Sequence, residues 1–303
     1  MKKNFNEVVI VGAVRTPIGT YKGVFKDIKA HLLGSVVIEE VLKKVNILQD
    51  EVDEIIIGQV LTAGSGQNPA RQAAVSASIP ISKPAYLVNQ VCGSGLRAVI
   101  SGYQSIKLGE IKKVITGGQE NMSMAPHSIL SRYGKKISED ALVDTMIYDG
   151  LIDAFNNYHM GVTAENIAEK FKITREEQDM FALNSQKKTQ IAFNKNKFNE
   201  EIISINHNGN IIEKDEHPRV NLNISDLEKL KTVFKKNGTV TPGNSSGIND
   251  GAAALLLMTQ TEAEKKSIEP LAKIISWASV GVEPSLMGLG PIEAVRAAVK
   301  KAN

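Results

Sequence analysis

The scarcest residue in this 303-residue sequence is cysteine: there is one, Cys92. A single thiol excludes an internal disulfide and a cysteine-based zinc site, and it points to a reducing compartment such as the cytoplasm. Aromatic residues are 5% of the chain, and 36 Lys and Arg nearly balance 33 Asp and Glu, leaving a net charge of +3. With no dense basic stripe, the footprint of a nucleic-acid binder is missing. No apolar run approaches the roughly 18 residues that span a bilayer. The run over 8–14 follows Glu7 and leads into Arg15-Thr16-Pro17 without a small-residue cleavage site, so it reads as a buried strand and not a signal peptide. Neither Gly-x-x-x-x-Gly-Lys-Ser/Thr nor a Gly-x-Gly-x-x-Gly after the first strand is present, which removes nucleotide hydrolysis and dinucleotide redox chemistry.

What is there is an ordinary globular balance, 42% apolar and 23% charged, at about twice the usual single-domain length. Strand and helix signals alternate: a strand at 8–14, a helix at 32–45, a strand at 55–58, an alanine-rich helix at 70–78, and a strand at 85–91 running into Cys92. A helix to Gly109 and a strand at 114–118 follow, and this alternation predicts an α/β sheet. Residues 121–247 read as an inserted, mostly helical and loop domain, in which Thr174-Arg175-Glu176-Glu177 has capping-box spacing. Residues 251–258 read as a strand rejoining the first sheet. The segments 271–282 and 291–302 echo the opening strand and helix. The expected domains are therefore 1–120 with 248–268, the insertion 121–247, and the start of a second α/β domain at 269–303.

Cys92 stands between a strand and Gly93-Ser94-Gly95 at the start of an amphipathic helix. A helix N-terminus favours the anionic form of a thiol, the form that attacks, and glycines leave backbone amides open to an oxyanion. A lone cysteine is more often a small buried hydrophobe, so both readings stand at this level. Among five histidines, His207 lies in a hydrophilic turn and reads as solvent-exposed, and His31 reads as structural. His159 precedes a helix in Tyr158-His159-Met160-Gly161 and reads equally as ligand wall or packing. The stretch 239–250 is a run of turn formers that either only turns or also binds a polar ligand through Ser245 or Ser246.

Taken together, Val14-Arg15-Thr16-Pro17-Ile18-Gly19, Asn89-Gln90-Val91-Cys92-Gly93-Ser94-Gly95, Gly117-Gly118-Gln119-Glu120-Asn121-Met122-Ser123, His159-Met160-Gly161, Ala164-Glu165-Asn166, Gly243-Asn244-Ser245-Ser246-Gly247 and Asn249-Asp250-Gly251 resemble the thiolase family, in family order along the whole chain. The resemblance implies a layered α-β-α-β-α fold with an inserted loop domain. It implies reversible condensation of two acetyl-CoA to acetoacetyl-CoA and coenzyme A through an acyl group on Cys92. Leu151, His159, Met160, Arg219, Phe234, Ser246 and Met287 fall where the family contacts CoA, with Arg219 toward the nucleotide end. No metal or separate cofactor is implied, nor a nucleic-acid or membrane partner. A homo-oligomer built as a dimer of dimers is, with 124–144 tying the dimers together.

The family's Asn-Glu-Ala-Phe-like segment, its Gly-His-Pro segment and its second, acid-base cysteine do not occur in these residues. The expectation is a thiolase with an incomplete second half and negligible turnover by itself. A CoA-binding or oligomer-forming module without catalysis is the alternative. A redox or hydrolytic cysteine protein is a third reading; it expects a resolving thiol, which the composition denies, or a paired base, which the sequence does not indicate.

Overall fold

The computed structural model describes residues 7–132, 138 and 141–303. These form two compact units. The first comprises Met1–Met146, Asn199–Glu216 and Asn249–Ile275; the second comprises Ile147–Phe198, His217–Ile248 and Ser276–Asn303.

The first unit is built on a sheet. Its elements are β1 (Val8–Arg15), α1 (Ala30–Val45), β2 (Glu54–Gly58), α2 (Pro69–Ser76), β3 (Ala85–Val88), α3 (Ser94–Leu108), β4 (Lys113–Asn121), β5 (Asn249–Thr259) and β6 (Ala272–Lys273). The strand order is β6-β1-β5-β4-β2-β3, with Gly19–Thr20 pairing onto the start of β5. β2 runs parallel to β3 and β4, while β5 is antiparallel to β1 and β4. The strand expected to rejoin the sheet thus lies near its centre.

The uninterrupted Ile55-Ile56-Ile57 follows from burial on both faces. Ile55 and Ile57 join Leu33, Val37, Ile38, Val41 and Leu42 of α1 and Ala70, Ala73 and Ala74 of α2. Ile56 points the other way, among Ala98 and Ile106 of α3, Val114 and Leu257. In β1 the register slips between Ile10 and Gly12, a bulge that keeps Val9, Val11 and Val14 all in the α1-side core. α3 ends where expected, at Gly109 in the left-handed conformation.

One local expectation is corrected. The strand read over 85–91 stops at Val88, and Val91 takes a positive φ. Of the echo at 271–282, β6 pairs with β1, and the Leu271 and Ile274 amides donate to the Ile10 and Val8 carbonyls. His207 closes the hairpin Ile205–His207/Asn210–Ile212, and its ring nitrogen lies 3.0 Å from Asp27. The expected dimer-tying segment 124–144 includes residues 133–137, 139 and 140, which lie outside the described residues. Among its described residues, His127 and Ser128 pair with Asp144 and Val143.

The second unit is largely helical, with α4 (Met160–Phe171), α5 (Arg175–Asn194) and α6 (Gly290–Ala302). The Thr174 capping box is present: its hydroxyl accepts from Glu177 N–H at 3.2 Å while the Glu177 carboxylate accepts from Thr174 N–H at 2.8 Å. Among the described residues no helix is long and apolar enough to cross a membrane.

Candidate active site

Cys92 is exposed and lies just before Gly93, the N-cap of the 15-residue α3. Between β3 and this helix the chain turns sharply, and Val91 sits at φ 47°. A β-branched residue in that region costs on the order of 1–3 kcal/mol, so its surroundings must hold it there. Asn89 Oδ1 accepts from Val91 N–H at 2.9 Å. The buried Ser94 hydroxyl accepts from Gln90 N–H at 2.8 Å and donates to the Val91 carbonyl at 2.6 Å. Gly93 and Ser94 N–H donate to the carbonyls of Gln90 and Val91, each at 3.0 Å. The thiol is therefore presented by a pinned turn at the positive end of a helix, where negative charge on the sulfur is favoured.

Backbone contact fixes the helix end against the sheet. A Cβ on Gly58, at the end of β2, would fall far inside van der Waals contact with Gly95 N and Ser94 C. Only glycine lets the two backbones meet there. The ideal Cβ position of Gly95 in turn lies 3.7 Å from the Gly117 carbonyl of β4.

Near the end of β4, Glu120 accepts from Val60 N–H at 2.8 Å and Leu61 N–H at 3.3 Å. Burial pushes its carboxyl up to about 7, with the charge of Asp250 adding and the two backbone donors opposing. In the sequence, Glu120 stands out only as part of the Gly117–Ser123 motif. The signal that marks it is long-range pairing, which local pattern does not carry.

In the second unit the predicted contact residues fall into two groups. His159 is the N-cap of α4, and its Nδ1 accepts from Gly161 N–H at 3.0 Å, leaving Nε2 to carry the proton of the neutral ring. Burial holds its pKa below the ordinary value. The ring stacks on Phe234 with centroids 4.6 Å apart, and Met160 N–H donates to the Leu151 carbonyl at 2.8 Å. His159, Met160, Leu151 and Phe234 are thus brought together. Met287 lies in the 3-10 segment Pro284–Leu289, tied to α4 by Asn166 Nδ2 donating to the Ser285 carbonyl at 3.0 Å.

Arg219 and Ser246 line a separate cavity of about 500 Å³ with Gln186, Thr189, His217 and Asp226. Its loop is pinned from below. Glu165, 3% exposed, accepts from Thr239 N–H at 2.9 Å and Val240 N–H at 2.8 Å. Asp179, 1% exposed, accepts from Asn244 Nδ2 at 2.9 Å and Arg175 Nε at 2.7 Å. Of the two serines left open by the sequence, the Ser245 hydroxyl is spent on the Thr241 carbonyl at 2.7 Å. Ser246 is exposed and bonds only weakly to the Gly247 carbonyl at 3.2 Å. The sequence reading gives His217 no role; here its buried Nε2 has no hydrogen-bond partner and it packs where a side chain on Gly247 would lie. His31 starts α1 and borders a smaller cavity of about 150 Å³ in the first unit. Among the described residues no group of three or more His, Cys, Asp or Glu could hold a metal ion.

The mixed α/β sheet, with its thiol at a strand-to-helix turn, is that of a thiolase-type acyltransferase. Residues 8–261 match the model described as thiolase, N-terminal domain, and the chain belongs to the thiolase family. It is 50% identical over 299 residues to the acetyl-CoA acetyltransferase of Rhizobium meliloti (strain 1021), covering 97% of this chain and 76% of that one. A Staphylococcus aureus (strain COL) protein named "Probable acetyl-CoA acyltransferase" is 49% identical over 300 residues, with the same coverage. The crystal structure of the Bacillus anthracis acetyl-CoA acetyltransferase superposes with a TM-score of 0.94 at 37% identity, over 98% of this chain and 77% of the other.

Proposed function

We propose that this thiolase acts on acetyl-CoA, with Cys92 as the residue that carries the acetyl group. The observation that supports this most is the exposed thiol on a strained, pinned turn at the start of α3. In the first step the Cys92 sulfur bonds to the acetyl carbonyl carbon, the carbon–sulfur bond to CoA breaks, and the thiol proton leaves with CoA as its thiol. In the second, the carbanion of another acetyl-CoA displaces Cys92, giving acetoacetyl-CoA; thiolysis by CoA is the reverse. Leu151, His159, Met160, Phe234 and Met287 would take the pantetheine and acyl end. Arg219 and Ser246, which line the cavity of the second unit, would take the nucleotide end, where a fixed cation suits phosphate.

Forming the carbanion needs a proton acceptor, and these residues hold no second cysteine. Residues that act as a unit are strongly non-additive, so turnover by the 303 residues alone is expected to be negligible while acylation of Cys92 remains measurable. The same reading places the chain in the cytoplasm, in a dimer of dimers, with CoA thioesters as substrates and no further cofactor.

Mass spectrometry of the purified chain mixed with acetyl-CoA tests this. One acetyl group is expected on the peptide containing Cys92, absent from Cys92→Ser. CoA binding with no acetyl transfer by a folded chain would instead establish the non-catalytic CoA-binding module.

A further inference from the structure

We propose that Glu120 is a positioning residue for Cys92: its carboxylate grips the Val60–Leu61 backbone and, through the Val60 carbonyl and the Asn89 side chain, holds the turn that presents the thiol. The inference rests on the reading of Cys92 as nucleophile.

The strain at Val91 needs a restraint from outside the turn. Asn89 supplies it with both ends of one amide: Oδ1 accepts from Val91 N–H at 2.9 Å, and Nδ2 donates to the Val60 carbonyl at 3.5 Å. The second bond is long, so it restrains only if Val60 is itself fixed. Val60 lies beyond the end of β2, where no sheet ladder holds it; the last rung is Gln59 N–H to the Val88 carbonyl at 3.1 Å. Two consecutive side chains of β4 take over from there. Gln119 Nε2 donates to Gln59 Oε1 at 2.8 Å, Gln59 Nε2 donates to the Leu61 carbonyl at 2.9 Å, and Glu120 accepts both the Val60 and Leu61 amides.

A carboxyl suits this place because its two oxygens accept two N–H groups at once, and each bond is charge-assisted once the group ionises. Burying a charged group is costly without such partners, and the raised carboxyl pKa reflects that cost. The segment 59–61 thus connects β4 to the Cys92 turn, and Glu120 is its anchor.

Cys92 is the one thiol in the chain, so its rate of alkylation by iodoacetamide reports its setting without acetyl-CoA. Glu120→Ala is expected to slow alkylation about tenfold, since small displacements of a reacting group cost that much or more. Glu120→Gln, which keeps one acceptor oxygen, should stay within about threefold of the parent. Asn89→Ala cuts the same link from its other end and is expected to slow the reaction similarly. The double variant should then be no slower than either single one.

Circular dichroism and melting confirm that each variant is folded. If folded Glu120→Ala reacts at the parental rate, or if the two alanine effects multiply, the proposal is overturned. If Glu120→Ala does not fold, Asn89→Ala decides: folded Asn89→Ala reacting at the parental rate overturns the proposal, because the link then carries no restraint. Failure of the parent chain to be acetylated would overturn the nucleophile reading instead, leaving the alkylation result intact.

Discussion

Glu120 sits where burial and the nearby Asp250 push a carboxyl up to about 7 against the pull of two backbone N–H donors. Its folded pKa lies above the unfolded value near 4.5, so between those limits the folded state binds more protons than the unfolded one. Stability from this group is full below about pH 4.5 and is lost as pH rises through about 7, by up to about 3 kcal/mol. Glu120→Gln removes the dependence. Urea unfolding at about pH 5 and about pH 8 should show the parent losing stability relative to this variant by roughly that amount, whereas parallel behaviour of the two would contradict the assignment. Gly161 gives a steric counterpart. A Cβ there would press into the whole Phe234 ring, which cannot yield without breaking its stack on His159. Gly161→Ala should therefore cost about 1–3 kcal/mol in chemical denaturation and raise the acetyl-CoA concentration needed for Cys92 acetylation.

The decisive element is α3, because its first turn carries the thiol and its position depends on glycine at β2. A Cβ on Gly58 meets backbone atoms of Ser94 and Gly95, which have no rotamer to change. Gly58→Ala should cost about 3 kcal/mol, at the upper end for overpacking, and slow Cys92 alkylation. Gly109→Ala, at φ 81° with open space around it, should cost about 1–2 kcal/mol for its left-handed conformation and leave the thiol's reactivity alone. Equal effects on alkylation would deny the contact its positioning role. The same element shows what sequence can carry. The helix after Cys92, its stop at Gly109, the triple isoleucine and the Thr174 capping box are local patterns and were legible. The end of β3 at Val88 was not, because φ at Val91 is set by Asn89 and Ser94 acting together, and β-branched residues ordinarily favour strand. Residues 271–282 have strand-like composition, and of them residues 271–274 bond to the β1 backbone.

At the scale of the molecule, the contacts that build the candidate site join residues far apart in sequence: Glu120 with Val60, Glu165 with Thr239, His159 with Phe234. The residue types were visible as motifs, but their partnerships were not, since pattern within a window cannot report who meets whom. The surface carries a further consequence. On α6, Ile292, Val295 and Val299 repeat at helical spacing yet are 45%, 60% and 64% exposed. A net charge of +3 on 303 residues provides little long-range repulsion to oppose association through such a stripe. The chain is therefore expected to self-associate as its concentration rises, and added salt should not dissolve the aggregates, because the attraction is apolar. Val295→Lys/Val299→Lys replaces exposed side chains and should change unfolding stability by no more than about 0.5 kcal/mol per site. Dynamic light scattering across a concentration series would then show a smaller mean radius for the double variant than for the parent. An unchanged radius would place the association elsewhere, since nothing else about the fold is altered by exchanging side chains that already face solvent.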